Sequence, residues 1–294
     1  MTMPLDHRHL ESYEFAVINP LEVDAAQWRD LRALPLAPRG LEAKQAQLPL
    51  LIELKALGDQ LRLDLLDRAA QWECQNDAPL LSLMMRSTSS ADQVRSHLRA
   101  QLLVRENARQ HVLLRWYDPK VFTHMAWLLE PHQIASLSGP ITQWAWKAPI
   151  GQWQQLERPD CDPDPIRGFK PSSAQWETLG RIGVINRMMR ELLSTGEMDR
   201  VDAPLYPMID ECLAQAYAAL ESEDESDARC LARQLLIFGR QIDQQPEIAS
   251  RISQAREGAT TYVGLCRDLD ESKLAAKAVF SDPLKHERVP NHVV

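Results

Sequence analysis

Leu114-Arg115-Trp116-Tyr117-Asp118-Pro119-Lys120-Val121 reads as a strand that runs into a helix start. A period of two puts Leu114 and Trp116 on one face and Arg115 and Tyr117 on the other. Asp118 has the chemistry of an N-cap, a short side chain that accepts from the unpaired amides of a first helical turn. Pro119 follows at the first helical position, where a missing N–H is no loss. A short helix is predicted after it, with Val121, Met125 and Leu128 or Leu129 on one stripe. Glu130-Pro131 restarts a second helix through His132 and Gln133, and Gly139-Pro140 ends it. A strand carrying Trp144 and Trp146 comes next.

Outward from this stretch, the first half alternates strand-like and helix-like segments. Residues 13–18, 49–54, 79–85 and 111–117 are short apolar runs of strand length. Ser90 and Gln93 fit a capping box, followed by Val94, Leu98 and Leu102 at helical spacing. Residues 59–74 read the same way, with Leu61, Leu65, Ala69 and Trp72 inward. Strand, helix and strand in that order is a crossover pattern, so at least part of the sheet is expected to be parallel. Residues 34–47 give no clear period and read as loop with some helix.

Arg158-Pro159-Asp160-Cys161-Asp162-Pro163-Asp164-Pro165 excludes helix and central strand. Beyond it the periodicity is helical throughout. Ser172 and Gln175 form a second box pattern, after which Trp176, Leu179, Ile182, Ile185, Met189 and Leu192 fall on one face. Residues 205–220 make another helix, and 221–227 an acidic turn. Leu231, Leu235, Phe238 and Ile242 form the cleanest stripe in the chain. Ile248 and Ile252 belong to a helix opened by Pro246, and 262–280 supply one or two more. The expected architecture is an α/β domain over 1–157, with a mixed, partly parallel sheet and flanking helices. A Pro/Asp-rich linker over 158–171, an all-α helical domain over 172–285 and a tail over 286–294 follow.

The order Arg-x-Tyr-Asp-Pro-x-Val, short helix, Leu-x-Pro-x-Gln, Gly-Pro and Trp strand resembles the N-terminal domain of the Tap/TEC effector adaptors. These serve the bacterial type VI secretion system, and the domain was long known only as one of unknown function. The resemblance is strongest over residues 112–146. It extends to Tyr13-Glu14-Phe15-Ala16-Val17-Ile18 as an opening strand and to Ser173-Ala174-Gln175-Trp176-Glu177-Thr178-Leu179 as the start of a helical part. The resemblance implies a cytoplasmic, non-catalytic chaperone that holds a toxic effector protein and delivers it to the VgrG spike. Asp118, Pro119, Pro131, Gln133, Gly139 and Pro140 are its structural motif. The chain departs from the family pattern at Lys147-Ala148-Pro149-Ile150-Gly151, where many relatives carry an acidic, glycine-bearing turn.

Bulk properties agree with a protein of this kind without identifying it. The chain has 294 residues, enough for two domains of ordinary size, with 45% hydrophobic and 25% charged residues. A net charge of −8 argues against a phosphate-tracking nucleic-acid binder and against docking on anionic lipid. The first nine residues lack the apolar core of a signal peptide, and no run approaches the ~18–20 apolar residues that span a bilayer. Five scattered cysteines, Cys74, Cys161, Cys212, Cys230 and Cys266, suit reduced thiols in the cytoplasm. The last three fall in helical patterns and read as buried, inert thiols.

Three chemical readings compete. Arg115, Tyr117, Asp118 and His124 could form an acid/base group, but Asp118 is already explained as a cap, and no phosphate loop, G-x-S-x-G nucleophile elbow or H-E-x-x-H zinc motif accompanies them. His7 and His9 lack a matching ligand cluster, so neither metal nor cofactor is expected. Trp144 and Trp146, two apart, share one face of a strand. That face is either the core side of the sheet or a partly exposed aromatic surface of the kind that anchors protein partners. On the second view Arg115, Tyr117, Trp144 and Trp146 are the partner-binding candidates. The alternatives to the adaptor are an enzyme with a non-local active site and a helical scaffold of an unrelated complex.

Overall fold

The near-continuous apolar runs Phe15-Ala16-Val17-Ile18 and Leu50-Leu51-Ile52 have the composition of strands covered on both faces, and both are fully buried. The structure is a computed structural model that describes residues 10–106, 110–149, 151, 153–161, 169–198, 205–258, 260–271 and 274. It divides into two compact units, Met1–Gly180 and Arg181–Val294.

The described residues up to Glu157 form, in chain order, β1 (Phe15–Ile18), β2 (Leu34–Pro35), β3 (Leu50–Glu53), α1 (Asp59–Gln75), β4 (Leu83–Arg86), α2 (Ala91–Ala100), β5 (Leu103–Arg105), β6 (His111–Leu113), α3 (Pro119–Leu128), α4 (Pro131–Ser138), β7 (Gln143–Lys147) and β8 (Trp153–Glu157), with short 3-10 turns between some of them. Six strands form one sheet in the order β2-β3-β1-β4-β7-β8, while β5 and β6 make a separate hairpin. The period-two rule sorts the side chains cleanly. Phe15, Val17, Leu51, Leu83, Met85, Trp144 and Trp146 join one core with residues of α2, α3 and α4. Ala16, Ile18, Ile52, Met84 and Ala145 join a second core, on the other face, with Leu65 and Ala69 of α1.

The α/β class is as expected, but the partly parallel sheet is not. Every strand pairing among the described residues is antiparallel. The crossover β3-α1-β4 does return its two strands in the same direction, as its pattern required. They are not neighbours, however, because β1 lies between them and pairs antiparallel with both. Strand order is a long-range property that a local strand-helix-strand pattern does not carry.

The local signals held closely. Ser90 caps α2 in a reciprocal box with Gln93, and Val94, Leu98 and Leu102 are buried. The strand expected over 111–117 is shorter: only His111–Leu113 is strand, and residues 114–118 turn into α3. The unpatterned region 34–47 contributes the two-residue edge strand β2 and a six-residue 3-10 helix at Glu42–Gln47. Of the Pro/Asp-rich segment, residues 162–168 lie outside the described residues.

The helix α5 (Ser173–Ser194) begins in the first unit and continues in the second, which also holds α6 (Leu205–Leu220), α7 (Glu225–Phe238), α8 (Pro246–Arg256) and α9 (Tyr262–Leu265). Its core is the expected set: Ile182, Ile185, Met189, Leu192, Leu231, Leu235, Phe238, Ile242, Ile248 and Ile252 are all buried. Arg181 clamps Asp210 through two bonds of 2.7 and 3.1 Å. Arg233 forks between Glu197 and Glu271. The expected tail over 286–294 lies outside the described residues, as do residues 272–273 and 275–280 of the expected helical stretch over 262–280.

Candidate functional site

Asp118 is the N-cap of α3. Its Oδ1 accepts from the amide of Lys120 at 2.9 Å, and Pro119 takes the first helical position. The other oxygen, Oδ2, accepts from Arg115 Nη2 at 2.9 Å. Asp118 is buried, whereas the Arg115 side chain is 48% exposed, so the pair presents the guanidinium at the surface. Burial pushes the Tyr117 hydroxyl above its ordinary range, opposed by the charge of Arg115 and a hydrogen bond with it. Arg115 is therefore steered by two buried groups and is the exposed member of this cluster.

The rest of the candidate set is core. Tyr117, Trp144 and Trp146 are 2%, 0% and 2% exposed. The Trp144 indole N–H donates to Ser138 Oγ and that of Trp146 to Thr123 Oγ1, both at 2.9 Å. Phe122 packs on both rings, and Trp116 packs edge-on against Trp144 and Tyr117. The expectation that Tyr117, Trp144 and Trp146 anchor a partner is corrected by this packing: their faces and their polar atoms are already used inside the unit. Spacing showed that the two tryptophans share a face, but not that helices α3 and α4 cover it.

The four residues of the acid/base reading are likewise split. His124 is buried beside Trp127, whose indole N–H donates to its Nδ1 at 3.3 Å. Asp118 is engaged as a cap, so only the end of Arg115 reaches solvent. Among the described residues no group of three or more His, Cys, Asp or Glu could hold a metal ion, and His7 and His9 lie outside them. No helix of the described residues is long and apolar enough to cross a membrane.

The motif positions Pro131, Gln133, Gly139 and Pro140 build the second helix and its exits. Glu130 N–H donates to Gln133 Oε1 at 2.8 Å, closing the first turn of α4. Gly139 ends the helix with a positive φ of 52°, and a Cβ there would overlap the imidazole of His97. His97 in turn bonds the carbonyl of Leu137 through Nε2 at 2.8 Å, and Pro140 offers its carbonyl to Ser87 Oγ at 2.7 Å. Sequence reading missed His97 altogether. Its only local signal was a polar residue beside the buried stripe of α2.

Gln175, expected as a box residue and as part of the segment that opens the helical part, joins that segment to the motif helix α4. Its amide pairs reciprocally with that of Gln133, at 2.9 and 2.8 Å. It also closes its own box, accepting from Ser172 N–H at 2.8 Å.

Two surface features remain. A cleft of about 430 Å³ is lined by Pro38, Arg39, Ser96, Arg99, Ala100 and Leu103. The Arg99 Nε in it donates to the carbonyl of Ala37. The second feature is the sheet edge at β8, which among the described residues pairs with β7 alone. The register places the backbone groups of Leu156 and Gln154 toward β7 and those of Trp153, Gln155 and Glu157 away from it. An edge of this type can accept an extended segment by backbone pairing.

Comparison with known families gives one result that bears on this geometry. Residues 25–136 match the family model described as "Domain of unknown function (DUF4123)". The match covers less than half of the chain. It includes Arg115, Asp118, Pro119, Pro131 and Gln133, and ends before β7 and before Gln175. No curated protein and no solved structure matches the chain.

Proposed function

We propose that this chain is a non-catalytic, cytoplasmic adaptor that holds a type VI secretion effector and loads it onto the VgrG spike. The observation that carries the proposal is the match over residues 25–136, because it contains Arg115, Asp118, Pro119, Pro131 and Gln133, the first part of the motif that resembles the Tap/TEC adaptors. The geometry supports a binding protein in two further ways. The motif residues serve as caps, helix exits and core, which is what a scaffold needs. The exposed member of the candidate set, Arg115, is of a type enriched in energetically dominant interface contacts. On this view the α/β unit supplies the contact common to such adaptors and the helical unit selects the particular effector.

Co-expression of the full chain with VgrG and with the effector encoded beside it provides the test. Both partners are expected to co-purify with the chain, through interfaces on the order of 1,200–2,000 Å². Failure of the full-length chain to retain either one would overturn the adaptor reading and return attention to a non-local enzyme site.

A further inference from the structure

Two cysteines of the helical unit stand together although they are distant in sequence. Cys230 lies on α7, Cys266 caps the end of α9, and both are partly exposed. Cys230 lies one helical turn before Gln234 on α7, so both share the face of that helix that meets the end of α9. A buried amide completes the arrangement: Gln234 Nε2 points at Cys266 Sγ from 3.7 Å, while its Oε1 accepts from the Tyr262 hydroxyl at 2.6 Å. Gln234 and Tyr262 are both fully buried. The amide is thus held from one side and offered to sulfur on the other.

Hydrogen-bond donors around Cys266, more than charge, favour its thiolate. A hydrogen bond from Cys230 pulls its thiol down to about 7, against the opposing effect of burial, with further help from Tyr262, Gln234 and the charge of Arg251 on α8. Cys230, the donor, is driven well up, first by that hydrogen bond and then by burial. Asp227 and Arg233 face the pair from α7, their effects on Cys230 opposed. Asp227 is taken up by the amide of Val263 at 2.9 Å, and Asp268 pairs with Arg251 at 2.8 Å. Cys212 offers the contrast: it is fully buried, and burial pushes its thiol up to about 11.

We propose that Cys266 is a peroxide-reactive thiol and that Cys230 is its resolving partner, so that oxidation closes a disulfide between α7 and the end of α9. The Cys266 thiolate attacks one oxygen of hydrogen peroxide. The O–O bond breaks, hydroxide leaves and takes up a proton as water, and Cys266 becomes a sulfenic acid. The Cys230 sulfur then attacks the sulfenic sulfur, the S–O bond breaks, and a second water leaves with the Cys230 proton. Two thiols and one peroxide give one disulfide and two waters. The inference stands on the helical unit alone and is independent of the adaptor proposal.

The test uses the full chain in native buffer. After brief exposure to hydrogen peroxide, remaining thiols are blocked and the chain is digested without reduction. A linked peptide pair joining Cys230 to Cys266, lighter by two hydrogens, is the expected product. In Cys230→Ser the linkage should vanish and dimedone should label Cys266 instead; in Cys266→Ser both should be absent. Circular dichroism establishes that each variant is folded, and the unmutated chain supplies a second readout. At pH 7, iodoacetamide should modify Cys266 about threefold faster in the native chain than in the urea-unfolded chain, an advantage that disappears above pH ~9, because a larger thiolate fraction is partly offset by lower nucleophilicity. Oxidation that leaves both thiols open to alkylation, or that links a different pair, would overturn the proposal. So would native alkylation of Cys266 no faster than in urea at pH 7.

Discussion

Gln133 and Gln175, 42 positions apart, exchange two side-chain hydrogen bonds, each amide donating to the oxygen of the other at 2.9 and 2.8 Å. Neither has unused capacity. Gln133 also accepts from Glu130 N–H and donates to the Lys170 carbonyl; Gln175 also accepts from Ser172 N–H and donates to the Leu128 carbonyl. Each glutamine therefore closes the first turn of its own helix and fastens that turn to the other. Truncating one partner strands buried polar groups of the other, at about 1–3 kcal/mol. We expect Gln133→Ala and Gln175→Ala each to lower stability by that amount, and the double variant to lose about 0.5–3 kcal/mol less than the sum. Urea denaturation of the four proteins measures this, and strict additivity would show that the pair is not coupled.

Gly139 and His97 make a second dependency. The positive φ of Gly139 favours glycine, and the imidazole of His97 occupies the space a Cβ would need. Gly139→Ala is expected to cost about 1–3 kcal/mol, from backbone strain and overlap together. Adding His97→Ala should recover part of the loss, since it removes the overlap and leaves only the strain. A double variant no more stable than Gly139→Ala would mean that the ring simply moves aside.

What the sequence carried was whatever physics acts within a few residues. Asp118-Pro119, Ser90 with Gln93 and Ser172 with Gln175 were legible as caps because a cap is a contact between near neighbours. The stripe Leu231, Leu235, Phe238 and Ile242 was legible because helical periodicity alone defines a buried face. The insertion of β1 between β3 and β4 was not, since strand order is decided by packing of the whole sheet. The burial of Trp144 and Trp146 sits between these cases. Their shared face followed from spacing, but its covering by α3 and α4 did not. The Gln133–Gln175 pair and the meeting of Cys230 with Cys266 left no local trace at all.

Burial of the two tryptophans separates folding from binding. Each fills the core and donates a hydrogen bond, so Trp144→Ala or Trp146→Ala should cost about 3–5 kcal/mol. Capture of VgrG or effector should then fall only as far as the folded fraction falls. Measuring binding and melting on the same preparations decides this. A variant with unchanged melting and lost capture would restore a direct contact role.

Arg115 should behave in the opposite way. Its exposed ion pair with Asp118 is of a kind worth about 0–1 kcal/mol, so Arg115→Ala should leave the denaturation midpoint nearly unchanged. Asp118→Ala removes the cap and should cost about 0.5–2 kcal/mol. If Arg115 meets a partner, its variant loses capture at full stability, and the Asp118 variant loses stability first. Equal destabilisation by both changes, with capture tracking it, would make Arg115 a structural residue.

The half-buried His97 sets a pH dependence whose sign is fixed. Burial is the main cause that lowers its affinity for a proton, with Arg158 adding to it and the Leu137 carbonyl opposing. The unfolded chain therefore binds the proton more readily than the folded one. The stability that His97 contributes is full above the unfolded value near 6.5 and is lost as the pH falls through it toward the lower folded value. The native chain should accordingly lose stability between about pH 7 and pH 5, and His97→Asn should lose less over the same window. Carboxylates held low, such as Asp30 beside Arg68, are common to both proteins and cancel in the difference. Urea midpoints at several pH values in that window measure it. Parallel curves for the two proteins would show that His97 is not the titrating group.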